Sequence, residues 1–255
     1  MANNFLIALS WQTAMRRELE VVSNNVANLG TTGYKSDNSA FSEFLMPGAH
    51  ADQFAGPDRR LSFVQDRATW HDYSQGPFQQ TGGPLDVAID GEGFFAIQTP
   101  RGERYTRNGG FQLNNTGEIV TSAGDRVLGE SGPIVLQPTD RDIVVTSDGT
   151  VKVREGVSLT SDSTRGKLRL VTFANPQALR KDGTSMFTAP AGTQPQPAQK
   201  ISIAHGVLEK SNVRSVVEMT RLIEITRKYT EVANMVQQQS DLRRSAIQQL
   251  ADVPA

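Results

Sequence analysis

The sequence contains no cysteine and only three histidines among its 255 residues. The lack of cysteine excludes a disulfide framework, a thiol nucleophile and a thiolate metal site. His50, His71 and His205 lie far apart and form no pair with the spacing of zinc ligands on a helix. We therefore expect neither a metal nor a cofactor.

An excess of one charge is also missing, since 26 Lys and Arg against 27 Asp and Glu leave a formal net charge of -1. This balance argues against a nucleic-acid-binding domain. No run approaches the roughly 18 apolar residues of a membrane-spanning helix, so we expect a chain that is not inserted in a membrane. The short apolar run 5–11 has no Lys or Arg before it, so we expect no cleavable secretory signal.

Glycine and proline are absent from two long stretches, residues 2–29 and 207–253. All 22 Gly, and all but one of the 12 Pro, lie between them. Both residues oppose helix formation, proline by about 3 kcal/mol and glycine by about 1 kcal/mol. The distribution predicts two helical ends around a centre rich in turns.

The N-terminal stretch has a heptad-like pattern from residue 5 to residue 29. Its members recur alternately three and four residues apart, and only Gln12 among them is polar. This spacing predicts a helix with a narrow apolar face, ended by Gly30 and Gly33. The residues that we expect to pack against another helix are Phe5, Met15, Leu19, Val22, Val26 and Leu29.

The C-terminal stretch repeats this rhythm less regularly over residues 219–250. The sequence from Ser215 to Glu218 matches a capping box, which predicts that the regular helix begins at Ser215. A narrow apolar face needs a partner, which favours a coiled-coil-like layer; the alternative is that both ends pack on their own globular domain. The expected packing residues here are Met219, Leu222, Tyr229, Val236, Ile247 and Leu250.

The centre consists of short runs rich in Val, Ile and Phe, separated by turn signals. Asp148-Gly149 between two such runs predicts a hairpin. We predict an α+β chain with a mainly-β central domain over 81–205 and long terminal helices. The N-terminal helix and turn take residues 1–35, an extended connector 36–80 and the C-terminal helix 206–255.

The sequence offers little catalytic material. Asp86, Asp90 and Glu92 lie close together, but strand alternation places Asp86 and Asp90 on one solvated face. Gly91-Glu92-Gly93 lacks the third glycine and the helix of a dinucleotide fingerprint. We therefore expect no enzyme and assign no catalytic residue.

Four segments nevertheless stand out, at residues 23–35 (SNNVANLGTTGYK), 84–95 (PLDVAIDGEGFF), 105–109 (YTRNG) and 206–213 (GVLEKSNV). They resemble, in the same order along the chain, the signature segments of the flagellar basal-body rod and hook protein family. The residues that carry the resemblance are Asn24, Asn25, Asn28, Gly33, Lys35, Asp90, Gly91, Gly93, Phe94, Arg107, Gly109, Ser211 and Asn212.

The resemblance implies a structural subunit of the bacterial flagellar rod, most similar to the F-type subunits of the proximal rod. Such subunits leave the cytoplasm through the flagellar type III export apparatus. They polymerise across the periplasm, with copies of themselves and other rod subunits, into the drive shaft that carries motor torque to the hook. The terminal helices are then expected to form an inner coiled-coil-like layer and the β domain an outer one.

Three alternatives remain open from the sequence. A distal-rod or hook-type axial subunit would share the same segments. A phage-tail-like structural protein would share the β domain without all four segments. A glycan-binding protein or hydrolase would need an aromatic platform or an acid pair, which the sequence does not supply convincingly.

Overall fold

The computed structural model describes residues 2–47, 60–155, 162–198 and 201–251. The chain divides into two compact units. The first contains residues 1–27, 37–70 and 214–255, and the second contains residues 28–36 and 71–213. His50 lies outside the described residues.

Two helices and a pair of strands make up the first unit. Helix α1 spans Ala2–Ala27 and helix α2 spans Ser215–Ala251. At 1.5 Å per residue, their 26 and 37 residues give lengths of about 39 and 55 Å. Strands β1 (Asp37–Pro47) and β2 (Arg60–His71) pair with each other. The predicted start of the second helix at Ser215 is confirmed.

Short strands make up most of the second unit, as the turn-rich centre of the sequence predicts. They are β3 (Phe78–Gln80), β4 (Val87–Asp90), β5 (Phe94–Thr99), β6 (Gly102–Thr106), β7 (Gln112–Leu113), β8 (Ile119–Val120), β9 (Arg126–Gly129), β10 (Gly132–Pro133), β11 (Asp140–Val145), β12 (Thr150–Glu155), β13 (Asp162–Lys167), β14 (Leu170–Thr172), β15 (Arg180–Lys181), β16 (Met186–Thr188), β17 (Gln196–Pro197), β18 (Ser202–His205) and β19 (Val207–Glu209). A 3-10 turn at Pro176–Ala178 precedes β15.

The largest sheet runs in the order β15-β16-β6-β5-β9-β8-β7, with β10 paired to β9 and β14 paired to both β5 and β17. A second sheet has the order β11-β12-β13, and two further pairs are β18-β4 and β19-β3. The last two pairs join segments far apart in the sequence. In each of them, the chain just before α2 returns to the segment that opens the β unit.

The core of the second unit consists of two apolar clusters. The larger includes Ile89, Phe95, Ile97, Val151 and Leu168, each almost fully buried. The smaller is built around aromatic side chains that meet edge to face, with the rings of Phe94 and Phe187 5.7 Å apart. The adjacent residues Phe94 and Phe95 contribute to different clusters because successive strand residues point to opposite faces of the sheet.

The predicted hairpin around Asp148-Gly149 is confirmed. Strands β11 and β12 pair antiparallel, with Val145 opposite Val151. Gly149 has a φ of 88°, a left-handed conformation that glycine adopts without the strain of a side chain. The fold is therefore α+β, with a mainly-β body and two long helices.

The structure differs from the predicted boundaries at two places. Residues 36–80 do not form a plain connector, because β1 and β2 pair and β3 pairs with β19. Residues 206–214 are not helical, since Val207–Glu209 is strand β19 and α2 begins only at Ser215. In both places the extended chain gains backbone hydrogen bonds from a segment distant in sequence, which local patterns do not reveal.

Candidate functional site

The two helices of the first unit pack against each other in antiparallel directions. Asn25, near the end of α1, donates through Nδ2 to Oε2 of Glu218 in the first turn of α2, at 3.3 Å. Glu18, two turns earlier in α1, accepts from Arg221, which lies further along α2. The contacts therefore progress in opposite directions along the two helices. This pairing supplies the partner that the narrow apolar faces need.

The residues expected to pack on α1 are buried to different degrees, and the buried Ala14 and Val21 lie outside the expected set. Val22 is fully buried, and Met15, Leu19 and Val26 are partly buried. Leu29 follows the helix and is also partly buried. Phe5 lies in α1, but its side chain is outside the part of the chain that the structure describes.

The predicted face of α2 is displaced at its start. Leu222, Tyr229 and Val236 are partly buried as expected, whereas Met219 is 48% exposed and Ile247 is 67% exposed. Leu250 lies in the helix, but its side chain is outside the described part of the chain. Within one chain, Met219 and Ile247 are therefore not packed as expected.

Ile225 is a residue of α2 that the pattern missed, because it is only 3% exposed and lies between the expected positions. Glu218, seven residues before it and thus on the same face of the helix, is also buried. The true packed face therefore begins with a charged residue. A search for apolar spacing passes over such a residue and selects Met219 instead.

In the second unit, a buried ion cluster joins three of the family-like segments. Nζ of Lys35 lies 2.6 Å from Oε1 of Glu209, and both side chains are fully buried. Nη1 of Arg107 lies 3.4 Å from the other carboxylate oxygen of Glu209. The backbone N–H of Gly76 donates to Glu209 at 2.9 Å, and Lys35 also donates to the carbonyl of Ser74 at 2.6 Å. The single carboxylate is thus shared by two cations.

Burial sets the electrostatics of this cluster. Desolvation lowers the pKa of Lys35, and the opposing attraction of Glu209 offsets part of that effect. Desolvation likewise lowers the pKa of Arg107, again against the attraction of Glu209. Because removing charges from water is costly, loss of any one partner would leave a buried charge uncompensated.

Arg107 also organises the loop that follows β4. Its Nη2 donates to the carbonyl of Gly91 at 2.6 Å, and its guanidinium lies 5.5 Å from the centre of the Phe94 ring. Gly91 has a φ of 112°, and a Cβ on Gly93 would come within 3.3 Å of the carbonyl of Val171. The family-like segment around Asp90 therefore forms a tight turn held by Arg107, with Asp90 itself exposed.

Gly33 and Gly109, two of the motif glycines, allow close approach of the backbone in the second unit. A Cβ on Gly33, which has a φ of 68°, would overlap the backbone of Asn108. A Cβ on Gly109 would overlap the carbonyl oxygen of Val87. At Gly33, the backbone of the segment 23–35 therefore touches the backbone of the segment 105–109.

The asparagines and the serine of the motifs make local and long-range hydrogen bonds. Asn212 accepts from the N–H of Ser36 at 2.8 Å and donates to the carbonyl of Asp72 at 2.8 Å. Asn28 accepts from the Thr31 hydroxyl at 3.0 Å. Asn24 contacts the Asp37 carboxylate, and the buried Ser211 accepts from the N–H of Val213.

Glu209 is the residue that sequence reasoning missed. It lies within the segment 206–213, but only its neighbours Ser211 and Asn212 were selected. Glu209 follows Val207 and Leu208 in strand β19, and the always charged Arg107 lies in another family-like segment; this combination is the signal that could have indicated a buried pair. The structure thus assembles the motif residues of its second unit into a packing centre.

A cavity of about 380 Å³ borders this centre and is lined by Tyr73, Glu92, Phe94 and Arg107 among others. Its lining contains no histidine and only one carboxylate. It therefore lacks the paired carboxylates that glycan hydrolysis uses. Among the described residues no cluster of potential metal ligands is found, and no described helix is long and apolar enough to cross a membrane.

Three family models match the sequence. The model for the flagella basal body rod protein matches residues 5–35, and that for the flagellar hook protein FlgE/F/G D1 domain matches residues 88–153. The model for the flagellar basal body rod FlgEFG protein C-terminal matches residues 204–249. These matches include most of both helices and the segment 88–153 of the β unit.

Similarity to individual proteins extends over nearly the whole chain. The flagellar basal-body rod protein FlgF of Caulobacter vibrioides is 38% identical, over 99% of this chain and 100% of that protein. FlgF of Mesorhizobium japonicum is 32% identical over 98% of both chains. The flagellar basal-body rod protein FlgG of Bacillus subtilis is 31% identical over 92% of this chain and 94% of that protein.

Proposed function

Because the chain belongs to the flagellar basal-body rod protein family, we propose that it is a structural subunit of the bacterial flagellar rod. The observation that carries this function is the similarity to FlgF over nearly the full length of both proteins. It includes both helical ends as well as the β body. We assign the subunit to the proximal rod because FlgF of Caulobacter vibrioides is 38% identical over nearly the whole chain, against 35% over 88% of the chain for an FlgG.

The helices are the elements that we expect to build the axial structure. In one chain, α1 buries one face of α2 and leaves other apolar side chains of α2 exposed, notably Val216 at 76% and Ile223 at 70%. Neighbouring subunits would cover such side chains and form a coiled-coil-like layer of helices. A contact that joins different surfaces of successive subunits does not close on itself and produces a helical assembly.

The partners are accordingly other copies of this chain and other rod subunits. We propose that the chain passes unfolded through the flagellar type III export apparatus and assembles across the periplasm, within the basal body. Isolated helices are marginally stable in water, so the helical ends gain much of their order when neighbours bury them. Export of an unfolded chain and assembly of a rigid shaft are then compatible.

The proposed role is mechanical rather than catalytic. A rod that carries torque from motor to hook must transmit force through packed side chains. Within the β unit, Lys35 and Arg107 share the buried carboxylate of Glu209, which supports such packing. Motility would depend on this packing.

A distal-rod subunit is the second candidate, because FlgG of Agrobacterium fabrum is 35% identical over 88% of this chain. Position along the rod discriminates between the two assignments. We expect loss of a proximal subunit to prevent the later rod proteins from assembling. We expect loss of a distal subunit to remove only the outer part of the shaft.

Deletion of the gene, with complementation from a plasmid, tests the proposed function. We expect the deletion strain to be non-motile, and we expect its isolated basal bodies to lack a complete rod in electron micrographs. The wild-type gene should restore both. Motile deletion cells, or basal bodies that lack only the outer part of the rod, would contradict the proximal-rod assignment. Cryo-electron microscopy of intact basal bodies would then locate the chain directly.

A further inference from the structure

The side chain of Asn25, near the end of α1, bonds both backbone groups of Asp37, as a neighbouring strand would. Oδ1 of Asn25 accepts from the N–H of Asp37 at 2.9 Å, and its Nδ2 donates to the carbonyl of the same residue at 2.8 Å. The same Nδ2 contacts Glu218 of α2 at 3.3 Å. Asn25 is fully buried. One amide therefore connects α1, the first residue of β1 and the first turn of α2.

A second polar contact lies further along the same helix pair. Nε and Nη2 of Arg221 both donate to Oε1 of Glu18, at 3.1 and 2.8 Å. Both side chains are mostly buried, with 16% of Glu18 and 33% of Arg221 exposed. Because the two donors belong to one edge of a planar guanidinium, the contact restricts orientation as well as distance.

Apolar packing alone does not determine how far α1 slides along α2. α2 has 37 residues and α1 has 26, so more than one register would cover the whole of α1. The apolar residues of both faces repeat with heptad-like spacing, and a shift of one heptad brings similar side chains together. A polar contact is more selective, because a wrong register leaves a buried amide or charge without a partner.

We propose that the contacts Asn25–Glu218 and Glu18–Arg221 determine the register of α1 along α2 within one chain. We call these two the pairing contacts. They position the two helices relative to each other before the chain assembles. The part of the proposal that concerns motility rests on the proposed function. The part that concerns helix pairing is measured on the purified chain.

Reversal of the charges of Glu18 and Arg221, singly and together in one chain, tests the pairing. Glu18→Arg places two arginines together, and Arg221→Glu places two carboxylates together. We expect either change to speed amide exchange in residues 14–25 and 218–225 about tenfold or more, since a mostly buried cation or anion loses its partner. The double variant restores the opposite charges and should return exchange to within about twofold of the wild type. Pulsed hydrogen exchange on the millisecond scale, applied to the full-length purified chain, resolves helices of low protection.

The control is an ion pair on a solvated part of α2. Arg227 and Glu231 have side chains that are 81% and 64% exposed. Arg227→Glu should leave exchange in residues 14–25 unchanged, because an exposed pair contributes little. An equal acceleration in this control, or a double variant no better than the single ones, would overturn the specific pairing. Unchanged exchange in both single variants would overturn it as well.

Expression in trans distinguishes pairing within one chain from pairing between chains. The double variant should restore motility to deletion cells that neither single variant restores. Cells that produce both single variants together should remain non-motile, because each chain then carries two like charges within its own helix pair. Motility of those cells would show that α1 pairs with α2 of a neighbouring chain and would overturn the intrachain proposal.

An independent test replaces the amide of Asn25 by an acid and then the acid of Glu218 by an amide. Asn25→Asp places a carboxylate against the Glu218 carboxylate and the Asp37 carbonyl, so exchange in residues 14–25 should accelerate. Adding Glu218→Gln supplies an amide donor to the new carboxylate and should recover part of the protection. If protection from exchange does not recover, the Asn25–Glu218 contact does not help to determine the register. If the purified chain behaves as expected but wild-type complementation fails, the rod function is wrong and the pairing stands.

Discussion

Nζ of Lys35 lies 2.6 Å from Oε1 of Glu209, across 174 residues of sequence and with both side chains fully buried. Lys35 follows the turn after α1, and Glu209 ends the strand that precedes α2. The pair therefore ties together, within the β unit, the two segments that lead into the helices. Arg107 completes the cluster from the strand segment between them.

Breaking this pair should destabilise the β unit strongly. In Glu209→Gln, two buried cations lose their shared carboxylate, and we expect the free energy of unfolding to fall by about 3 to 5 kcal/mol. Urea denaturation of the purified chain, followed by fluorescence, measures the change. Glu130→Gln is the matched control, because Glu130 pairs with Lys167 at the surface, where 57% of its side chain is exposed. The control should change stability by less than about 0.5 kcal/mol. Equal effects in both variants would show that the buried cluster contributes no more to the free energy of unfolding than a surface ion pair.

Charge in the packed face of α1 should block assembly and leave the β unit folded. Val22 is fully buried and Leu19 is partly buried. Val22→Asp or Leu19→Asp places a carboxylate among apolar side chains, which is costly without a partner. We expect non-motile cells and incomplete rods, while circular dichroism of the purified chain retains its β-sheet signal. Val22→Ala is the control that removes volume without adding charge, and it should retain more motility than Val22→Asp. Normal swimming with both aspartate variants would contradict the packed face.

Substitution of Gly109 should be more harmful than substitution of Gly30. A Cβ on Gly109 would overlap the backbone carbonyl of Val87, which cannot move without disturbing β4. Gly109→Ala should therefore cost about 2 to 4 kcal/mol in the free energy of unfolding. Gly30 has no atom within 4 Å of the position of an added Cβ, so Gly30→Ala should be tolerated. Thermal unfolding of both variants provides the comparison, and equal melting temperatures would refute it.

The hairpin at Asp148 should lose stability in acid. Hydrogen bonds from the side chains of Thr146 and then Thr150 lower the pKa of Asp148 to about 2. A carboxylate whose pKa is lower in the folded protein stabilises it fully above the unfolded value of about 3.9. This contribution is lost as the pH falls from about 4 to about 2. Asp148→Asn should flatten the pH dependence of the melting temperature across that interval. An unchanged slope would show that this hairpin does not contribute to acid sensitivity.

The helices should be less protected than the sheet in the dilute chain. Much of α2 is exposed, including Val216, Ile223 and Leu242, and exposed helices open easily. We expect amides in residues 5–29 and 216–250 to exchange about 100-fold faster than those of β5 and β12, which lie in the core. Hydrogen exchange with mass spectrometry measures the ratio. Strong protection of both ends in a dilute monomer would contradict the coupling of helix order to assembly.

Local features of the sequence determined the element types. The absence of glycine and proline at both ends permits α1 and α2, Ser215 marks the start of α2, and Asp148-Gly149 specifies the β11–β12 hairpin. Each depends on the backbone preferences of a few neighbouring residues, so sequence alone suffices. The family-like segments carried the remaining information on function.

Only the tertiary structure decided which side chains are buried where distant segments meet. Glu209 is charged and would be expected at the surface, yet Lys35 and Arg107 surround it in the core. On α2 the packed face contains Ile225 and Glu218, and Met219 is turned away. A buried charge is stable only beside its partner, and here the partner comes from another part of the chain. Spacing along one segment therefore predicts a helix or a strand, whereas its neighbours in space select the face that it buries.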